Sequence, residues 1–231
     1  VKPKVKIIDE NSNTRPIAVS INNNHDAYPH AGLQDAYLAY ELIAEGGITR
    51  IIALFKDQTT EKIGSVRSAR HYFLDYVMEN DAIFVHYGHS PQALSDIKSL
   101  KINNINGMYD AKGFFRDTSL HRAYEHTAFT SMKRINKVIK SKGYRNTSEE
   151  QLLKYSPIKV EYNTENKKEA NTVEIVYSSY QTTKYVYDKD NMNYKMYMGG
   201  KEHTDLITKK QYTVKNIITY QVENTSISSD R

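Results

Sequence analysis

The stretch EGGITRIIALFKDQTTEKIGSVRSAR, residues 45–70, gathers three arginines around one apolar segment. Residues 48–55 are almost continuously apolar, which is typical of a strand buried on both faces. Arg50 lies inside that run. Because a buried guanidinium group requires a partner, we expect it to pair with Glu41 or Glu45 on a preceding helix.

The other two arginines, Arg67 and Arg70, follow a Gly-Ser turn and lie three residues apart. If Ser65 or Ser68 caps a helix, both arginines project from its first turn. The helix dipole favours anions at that end, so we expect an anion between the two guanidinium groups. It is either a protein carboxylate or a bound ligand, which leaves open both a structural ion-pair network and a ligand site.

The composition is that of a globular protein without a membrane span. Of 231 residues, 39% are hydrophobic and 26% charged, and no apolar run approaches the length that crosses a bilayer. The net charge of +5 is dispersed, which does not favour a nucleic-acid-binding protein. No cysteine is present, which excludes disulfides, thiolate metal sites and a cysteine nucleophile in this sequence. We predict no cofactor and no metal.

Outward from the opening stretch, the hydrophobic pattern alternates between strand and helix periods. We predict strands at 17–21, 48–55 and 82–87, and helices at 33–45, 68–80, 91–100 and 130–142. Ser90 is the expected cap and Pro91 the first residue of the third helix. Beyond residue 155 short strand-like segments replace this pattern, at 173–177, 184–187, 194–198 and 217–222.

These elements predict an α+β protein, with an N-terminal mixed α/β domain followed by a smaller, mainly antiparallel β domain. We expect residues 1–14 to be a polar tether, 15–155 the domain with the arginines, and 156–231 the β domain. The last is expected to be incomplete at its C-terminus.

Polar side chains follow several predicted strands and are expected to meet at one cleft. Together with the arginines they suit a phosphate, a carboxylate or an acidic glycopolymer. The predicted ligand-binding residues are Asn23, Glu41, Glu45, Arg50, Arg67, Arg70, His71, His86, His89, Arg116 and His126. Expected partners are an anionic small molecule or glycopolymer, or an envelope protein.

Two alternatives use some of the same residues. Hydrolysis of a phosphodiester or an amide would use Glu41, Glu45, Asp26 or His86 as acid or base, with an arginine stabilising developing charge. No nucleophile elbow, phosphate loop or zinc-protease helix supports it. His86 and His89 form a metal pair only if a third ligand joins them, and ordinary hydrogen-bonded histidines are the simpler interpretation.

The second half of the chain is rich in tyrosines. They suit either aromatic platforms for sugars or a protein partner, or one half-buried sheet face. The tyrosines concerned are Tyr177, Tyr180, Tyr185, Tyr187, Tyr194 and Tyr197. The run at 203–205, after a Gly-Gly turn, is interpreted as a turn cap.

The sequence also resembles a known family. The blocks RPIAVSINN, YELIAEGGITRIIALF, KIGSVRSARHYF, DAIFVHYGHSPQA and FFRDTSLHRAYEHTAFTS resemble the N-terminal domain of the YerB family, lipoproteins of Gram-positive bacteria with no assigned activity. VEIVYSS, YVYDKDNMNYKMYMGGKEHTDL and VKNIITYQV resemble its C-terminal domain. The resemblance runs from about residue 15 to 222.

This resemblance implies an exported protein held on the outer face of the cell membrane by a lipidated cysteine ahead of the mature domain. It also implies further strands beyond Arg231. The chain departs from the family at RAYEHT, residues 122–127, where members more often carry a Pro-His-Asn run and this sequence keeps the histidine, His126.

Overall fold

The computed structural model describes residues 8–9, 11–148, 152–156, 168–223 and 225. Within them, an N-terminal part of mixed sheet and helices precedes a separate antiparallel sheet, as the predicted α+β class requires. Most of the predicted tether and residues 157–167 lie outside the described ranges. The boundary near residue 155 stays a prediction.

The secondary-structure elements are numbered in chain order. The strands are β1 (Ile17–Asn22), β2 (Leu38–Ile43), β3 (Thr49–Phe55), β4 (Ile63–Gly64), β5 (Ile83–His86), β6 (Asn104–Asn106), β7 (Phe115–Arg116), β8 (Ala128–Thr130), β9 (Thr172–Val176), β10 (Thr182–Asp188), β11 (Asn193–Met198), β12 (Lys201–Glu202) and β13 (Thr213–Val214). The α-helices are α1 (Leu74–Glu79), α2 (Pro91–Ser99) and α3 (Met132–Lys142).

The central sheet has the strand order β2-β3-β1-β5-β6. β1, β5 and β6 run parallel, whereas β3 is antiparallel to both β1 and β2. Every residue of β3 is buried, as the apolar run predicted. One face of the sheet shares a core with α3 and the other shares a core with α1 and α2, so the sheet is covered on both sides.

The helix predicted at 33–45 is wrong: most of this segment is β2, the edge strand beside β3. Leu38, Tyr40 and Leu42 alternate along the strand and pack against the core that contains α1. Apolar residues at 33, 37, 40 and 44 also fit a helical period, so periodicity alone did not distinguish a helix from a strand. Gly46 and Gly47 have positive φ values of 67° and 75° and turn the chain into β3 instead of ending a helix.

The helix predicted at 68–80 begins later. A 3-10 turn occupies His71–Phe73 and α1 follows, with Leu74 and Val77 buried on the predicted side. Neither Ser65 nor Ser68 caps a helix, so Arg67 and Arg70 do not lie in a first helical turn. This segment is not helical because its backbone hydrogen bonds go to the central sheet and not to its own residues.

Two other helices lie close to their predicted bounds. The Ser90 hydroxyl accepts a hydrogen bond from Ala93 N at 3.2 Å, and Pro91 is the first residue of α2. α3 ends at Gly143, whose φ of 64° is a left-handed conformation that favours glycine.

The C-terminal sheet has the order β12-β11-β10-β9, with β13 also paired to β11. Met196, Met198 and Tyr212 belong to the same core cluster as β1 and β3, so the two parts of the chain are packed together. The strand predicted at 217–222 is wrong: Ile218 is 65% exposed, and no described strand lies beside this segment to complete a ladder. Among the described residues, no helix has the length and apolarity to span a membrane.

Candidate functional site

Three parallel strands bring their carboxyl ends to one edge of the central sheet. β1 ends at Asn22, β5 at His86 and β6 at Asn106. β3 starts at the same edge, where Arg50 pairs with Asn22. In open sheets, ligands bind in the crevice outside the carboxyl ends of the strands, so this edge is where a site is expected.

The segment 65–69 crosses this edge and holds Arg67 from both sides. The Arg67 amide donates to Ser20 O of β1 at 2.8 Å, and its carbonyl accepts from Tyr87 N, just after β5, at 2.9 Å. The backbone of Arg67 is therefore anchored at the ends of two parallel strands.

Arg50 has the buried environment that the sequence predicted, and its acidic partner is Glu45. Its guanidinium donates to Ser68 O at 2.5 Å and lies 3.5 Å from the Glu45 carboxylate. Glu45 also accepts a close hydrogen bond from Arg70, so one carboxylate serves two arginines. Burial, and then the neighbouring Arg70 charge, lowers the pKa of Arg50 to about 10. Glu41, the other predicted partner, lies elsewhere.

Arg67 has no acidic partner at salt-bridge distance among the described residues and makes no side-chain hydrogen bond to them. Its side chain is half-buried, and burial lowers its pKa. Arg70 and Arg116 lower that pKa further, whereas Glu125 and Glu45 act in the opposite direction. The guanidinium of Arg67 thus lies near charges of both signs, and it forms a salt bridge with none of the described carboxylates.

Arg116, on β7, lies between two aromatic rings. Its guanidinium carbon is 4.5 Å from the Tyr87 ring centre and 3.7 Å from that of Tyr124. It donates to Tyr124 O and to Thr127 Oγ1, while its buried Nε has no hydrogen-bond partner within the described ranges. Two stacked rings hold the guanidinium in place while leaving donor capacity unused. We call Arg50, Arg67, Arg70 and Arg116 the arginine cluster.

His126 is buried beside this cluster with a defined tautomer. Asn22 Oδ1 accepts from Asn24 N at 3.2 Å, so its Nδ2 faces His126 Nδ1 at 2.7 Å and donates to it. The ring proton is therefore assigned to Nε2. Burial, with a contribution from the Arg67 charge, lowers the pKa of His126, so the ring is neutral at pH 7.

The other predicted histidines differ in their environments. His86 is buried, with Nδ1 2.7 Å from Gly88 O and Nε2 3.2 Å from Asn104 Oδ1. Both ring nitrogens of His89 lack a hydrogen-bond partner in the described chain, and its ring stacks on Tyr109 at 6.3 Å. Across the described residues, no group of three or more His, Asp and Glu side chains is arranged to hold a metal ion.

Two predicted residues occupy surface turns. His71 lies in the 3-10 turn before α1, with its ring edge-on to Tyr72 at 5.1 Å. Asp26, considered as a general base, lies in an exposed 3-10 turn after β1.

Glu41 and Asn23 belong to a different cluster, between the central sheet and β10. The Glu41 carboxylate accepts hydrogen bonds from Asn23 Nδ2 at 3.0 Å, Thr49 Oγ1 at 2.7 Å and Thr183 Oγ1 at 3.0 Å. Gln181 Nε2 lies 3.4 Å away. Burial among neutral donors raises the pKa of Glu41. This carboxylate joins the two parts of the chain and is enclosed by them.

A second buried contact between the two parts was missed in the sequence. His203 Nε2 lies 2.9 Å from His30 Nδ1. Asp205 accepts from Gly32 N and from the Tyr212 hydroxyl, each at 2.8 Å. Asp205 also accepts from two backbone amides that follow it, which is the predicted turn cap. No local pattern indicated the long-range partners.

The C-terminal tyrosines are mostly half-buried along their sheet, and Tyr180 is the exposed member. Tyr180 stacks on His25 at 4.2 Å, and Tyr185 packs against the shared core. The tyrosine rings that accompany the arginine cluster, Tyr87 and Tyr124, come from the N-terminal part instead and were not predicted.

Fold and site together define a two-part α+β protein with an arginine cluster at the carboxyl edge of a mixed sheet. The family model "Protein of unknown function (DUF3048) N-terminal domain" matches residues 5–145, and the corresponding C-terminal domain model matches residues 173–231. The chain belongs to this family.

Relatives agree with this assignment. The chain is 35% identical over 224 residues to "Putative lipoprotein YerB" of Bacillus subtilis, an alignment that covers 94% of this chain and 65% of that protein. The chain therefore spans less than two thirds of the length of this relative. The crystal structure of the YerB protein from Bacillus subtilis matches with a TM-score of 0.75 and 32% identity, covering 92% of this chain and 69% of that one.

Proposed function

We propose that this protein binds an anionic ligand through Arg67 and Arg116 of the arginine cluster. The observation that carries the proposal is the state of Arg67, a half-buried guanidinium without a salt-bridge partner among the described residues. A cation held beside other cations is stabilised when an anion joins it. Arginine also presents a fixed fork of donors that matches phosphate and carboxylate oxygens.

The charge balance around the cluster supports this proposal. Glu45 pairs with Arg50 and Arg70, and the remaining nearby carboxylate, Glu125, is exposed. Four arginines thus face two carboxylates. His126, with its proton on Nε2, adds a neutral donor next to Arg67.

The proposed location is the outer face of the cell membrane, with a lipid anchor. The relative from Bacillus subtilis is named as a lipoprotein, and the family resemblance implies the same anchor. We extend that location to this chain as part of the proposal.

Hydrolysis is the second candidate, and the contacts favour binding over it. Glu41 is enclosed by hydrogen bonds, Glu45 is ion-paired with Arg50, and His86 is buried and hydrogen-bonded. Of the remaining groups near the arginine cluster, His126 is the buried one that a hydrolase could use as its base.

Thermal unfolding with increasing sodium phosphate or sodium sulfate tests the binding proposal. A ligand that binds only the folded state stabilises it by about 2.7 kcal/mol at one hundred times its dissociation constant. We expect a concentration-dependent rise in Tm for the wild type that Arg67→Gln and Arg116→Gln lose. Arg145→Gln is the control, because Arg145 pairs with Asp81 at the opposite edge of the sheet.

If all four proteins respond equally, the effect is a general salt effect and the proposal is wrong. Cleavage of bis(p-nitrophenyl) phosphate by the wild type, abolished in His126→Gln, would favour the hydrolase instead.

A further inference from the structure

Two strongly exposed tyrosines accompany the arginine cluster. Tyr124 and Tyr109 are each 69% exposed, and both lie in loops beside the carboxyl edge of the central sheet. A tyrosine ring that is open to solvent on one face and packed on the other is a common feature of binding surfaces.

Packed contacts run from Tyr124 to the loop that precedes Tyr109. Tyr124 packs on Arg116, and Arg116 packs on Tyr87. The backbone at Gly107 lies directly against the Tyr87 ring, since a Cβ atom there would be 2.1 Å from Tyr87 Cδ2. Tyr109 follows two residues later. Only glycine permits so close an approach, so the loop that leads to Tyr109 packs against the same Tyr87 ring as Arg116 does.

Tyr109 is also connected to the segment that carries the arginines. The Tyr109 ring stacks on His89, with an interplanar angle of 25°. His89 pairs through its backbone with Ala69, between Arg67 and Arg70. The loop of Tyr109 is therefore linked through His89 to the segment that carries Arg67 and Arg70.

We propose that the anionic ligand is an acidic saccharide, whose charged substituent meets Arg67 and Arg116 while its sugar rings pack on Tyr124 and Tyr109. This inference rests on the proposed anion-binding function. The C–H face of a pyranose ring is apolar and packs on an aromatic ring, whereas its acidic group requires a guanidinium. A lone phosphate or sulfate would leave both exposed rings unused.

Stacked rings beside arginines also suit single-stranded nucleic acid. Such proteins carry a basic track along the strand, whereas here the net charge of +5 is dispersed over the chain. The composition therefore favours a saccharide.

Isothermal titration with defined probes tests this inference. The probes are sodium phosphate, glucose 6-phosphate, a galacturonic acid hexamer, a glutamic acid hexapeptide and a thymidine hexanucleotide. We expect at least one of the two sugar probes to bind about tenfold or more tightly than phosphate. Tyr109→Ala is expected to weaken sugar binding about threefold to tenfold and to leave phosphate binding unchanged. Tyr124→Ala also removes a ring that packs on Arg116, so it is expected to weaken sugar binding by a larger factor than phosphate binding.

Two variants control for loss of a tyrosine. Tyr124→Phe keeps the ring and should bind sugar like the wild type. Tyr220→Ala removes a tyrosine that is 83% exposed in the C-terminal segment, and should have no effect.

The possible outcomes distinguish the saccharide inference from the anion-binding proposal on which it rests. If phosphate binds through Arg67 but sugars bind no more tightly and the tyrosine variants are neutral, the saccharide is wrong and the anion site stands. If no anionic probe binds, both are wrong. If the hexapeptide or hexanucleotide binds most tightly with the same tyrosine dependence, the saccharide class is overturned.

Discussion

At the scale of single residues, burial of Arg50 could be predicted because its neighbours are apolar, and Glu45 could be named because it is close in sequence. The role of Glu41 could not be predicted from the sequence. In a strand, Glu41 projects to the opposite side from Leu42, which pairs with Arg50, so its hydrogen bonds go to Thr49 and the C-terminal sheet. The rings around Arg116 come from separate loops, and no local pattern predicts such contacts.

Glu45 competes with any external anion for the arginine cluster, which leads to a prediction for Glu45→Gln. Arg50 and Arg70 lose their counter-ion, so we expect a lower Tm and a phosphate affinity higher by up to about fivefold, within the range of surface ion pairs. Calorimetric titration with phosphate measures the change. Glu174→Gln, an exposed carboxylate on β9, is the control. A reduced affinity in Glu45→Gln would mean that Glu45 positions the arginines and does not compete.

At the scale of elements, α2 was predicted well because it begins at a serine cap and a proline, and α3 because it ends at a glycine; these are local signals. β2 was not, because its tyrosines and leucines satisfy both helical and strand periods. Pairing with β3 along its whole length decides the outcome. Whether such a segment forms a strand depends on its tertiary partner. The same holds for residues 217–222, which have the strand pattern but no described strand to pair with.

The cap of α2 provides a test at this scale. Ser90→Ala removes the acceptor for Ala93 N, and we expect the free energy of unfolding to fall by about 1 kcal/mol. Urea denaturation at pH 7 measures it. Ser99→Ala, at the other end of the same helix, should change stability by less than about 0.5 kcal/mol. Equal effects of the two substitutions would show that the cap contributes nothing specific.

At the scale of the whole molecule, the change in composition near residue 155 predicted two structural parts but not how closely they pack. Met196, Met198 and Tyr212 complete the core beneath β1 and β3. Glu41 and the His30–His203 pair are buried in the same contact region. These groups are polar and lie far apart in sequence, so only the folded chain shows that their ionisation is linked to stability.

Four buried histidines make stability dependent on pH, and for three of them, His30, His86 and His203, the lowering of the pKa is large. Burial lowers the pKa of His30 and His86 to about 4 and that of His203 to about 2, whereas an unfolded histidine titrates near 6.5. The folded state therefore holds these rings neutral, and protons bind preferentially to the unfolded chain below pH 6.5. Stability present at pH 8 is lost as the pH falls from 6.5 towards 4.

At pH 5 this loss is about 2 kcal/mol for each histidine, or about 6 kcal/mol for the three, relative to pH 8. Glu41 offsets part of it, because its raised pKa acts with the opposite sign. Guanidinium unfolding at pH 8 and pH 5 measures the difference. His86→Gln should reduce it by about 2 kcal/mol, whatever the variant's stability at pH 8, and His121→Asn, an exposed histidine, should not. If His86→Gln leaves the pH difference unchanged, His86 is not held neutral by burial, and the acid sensitivity has another source.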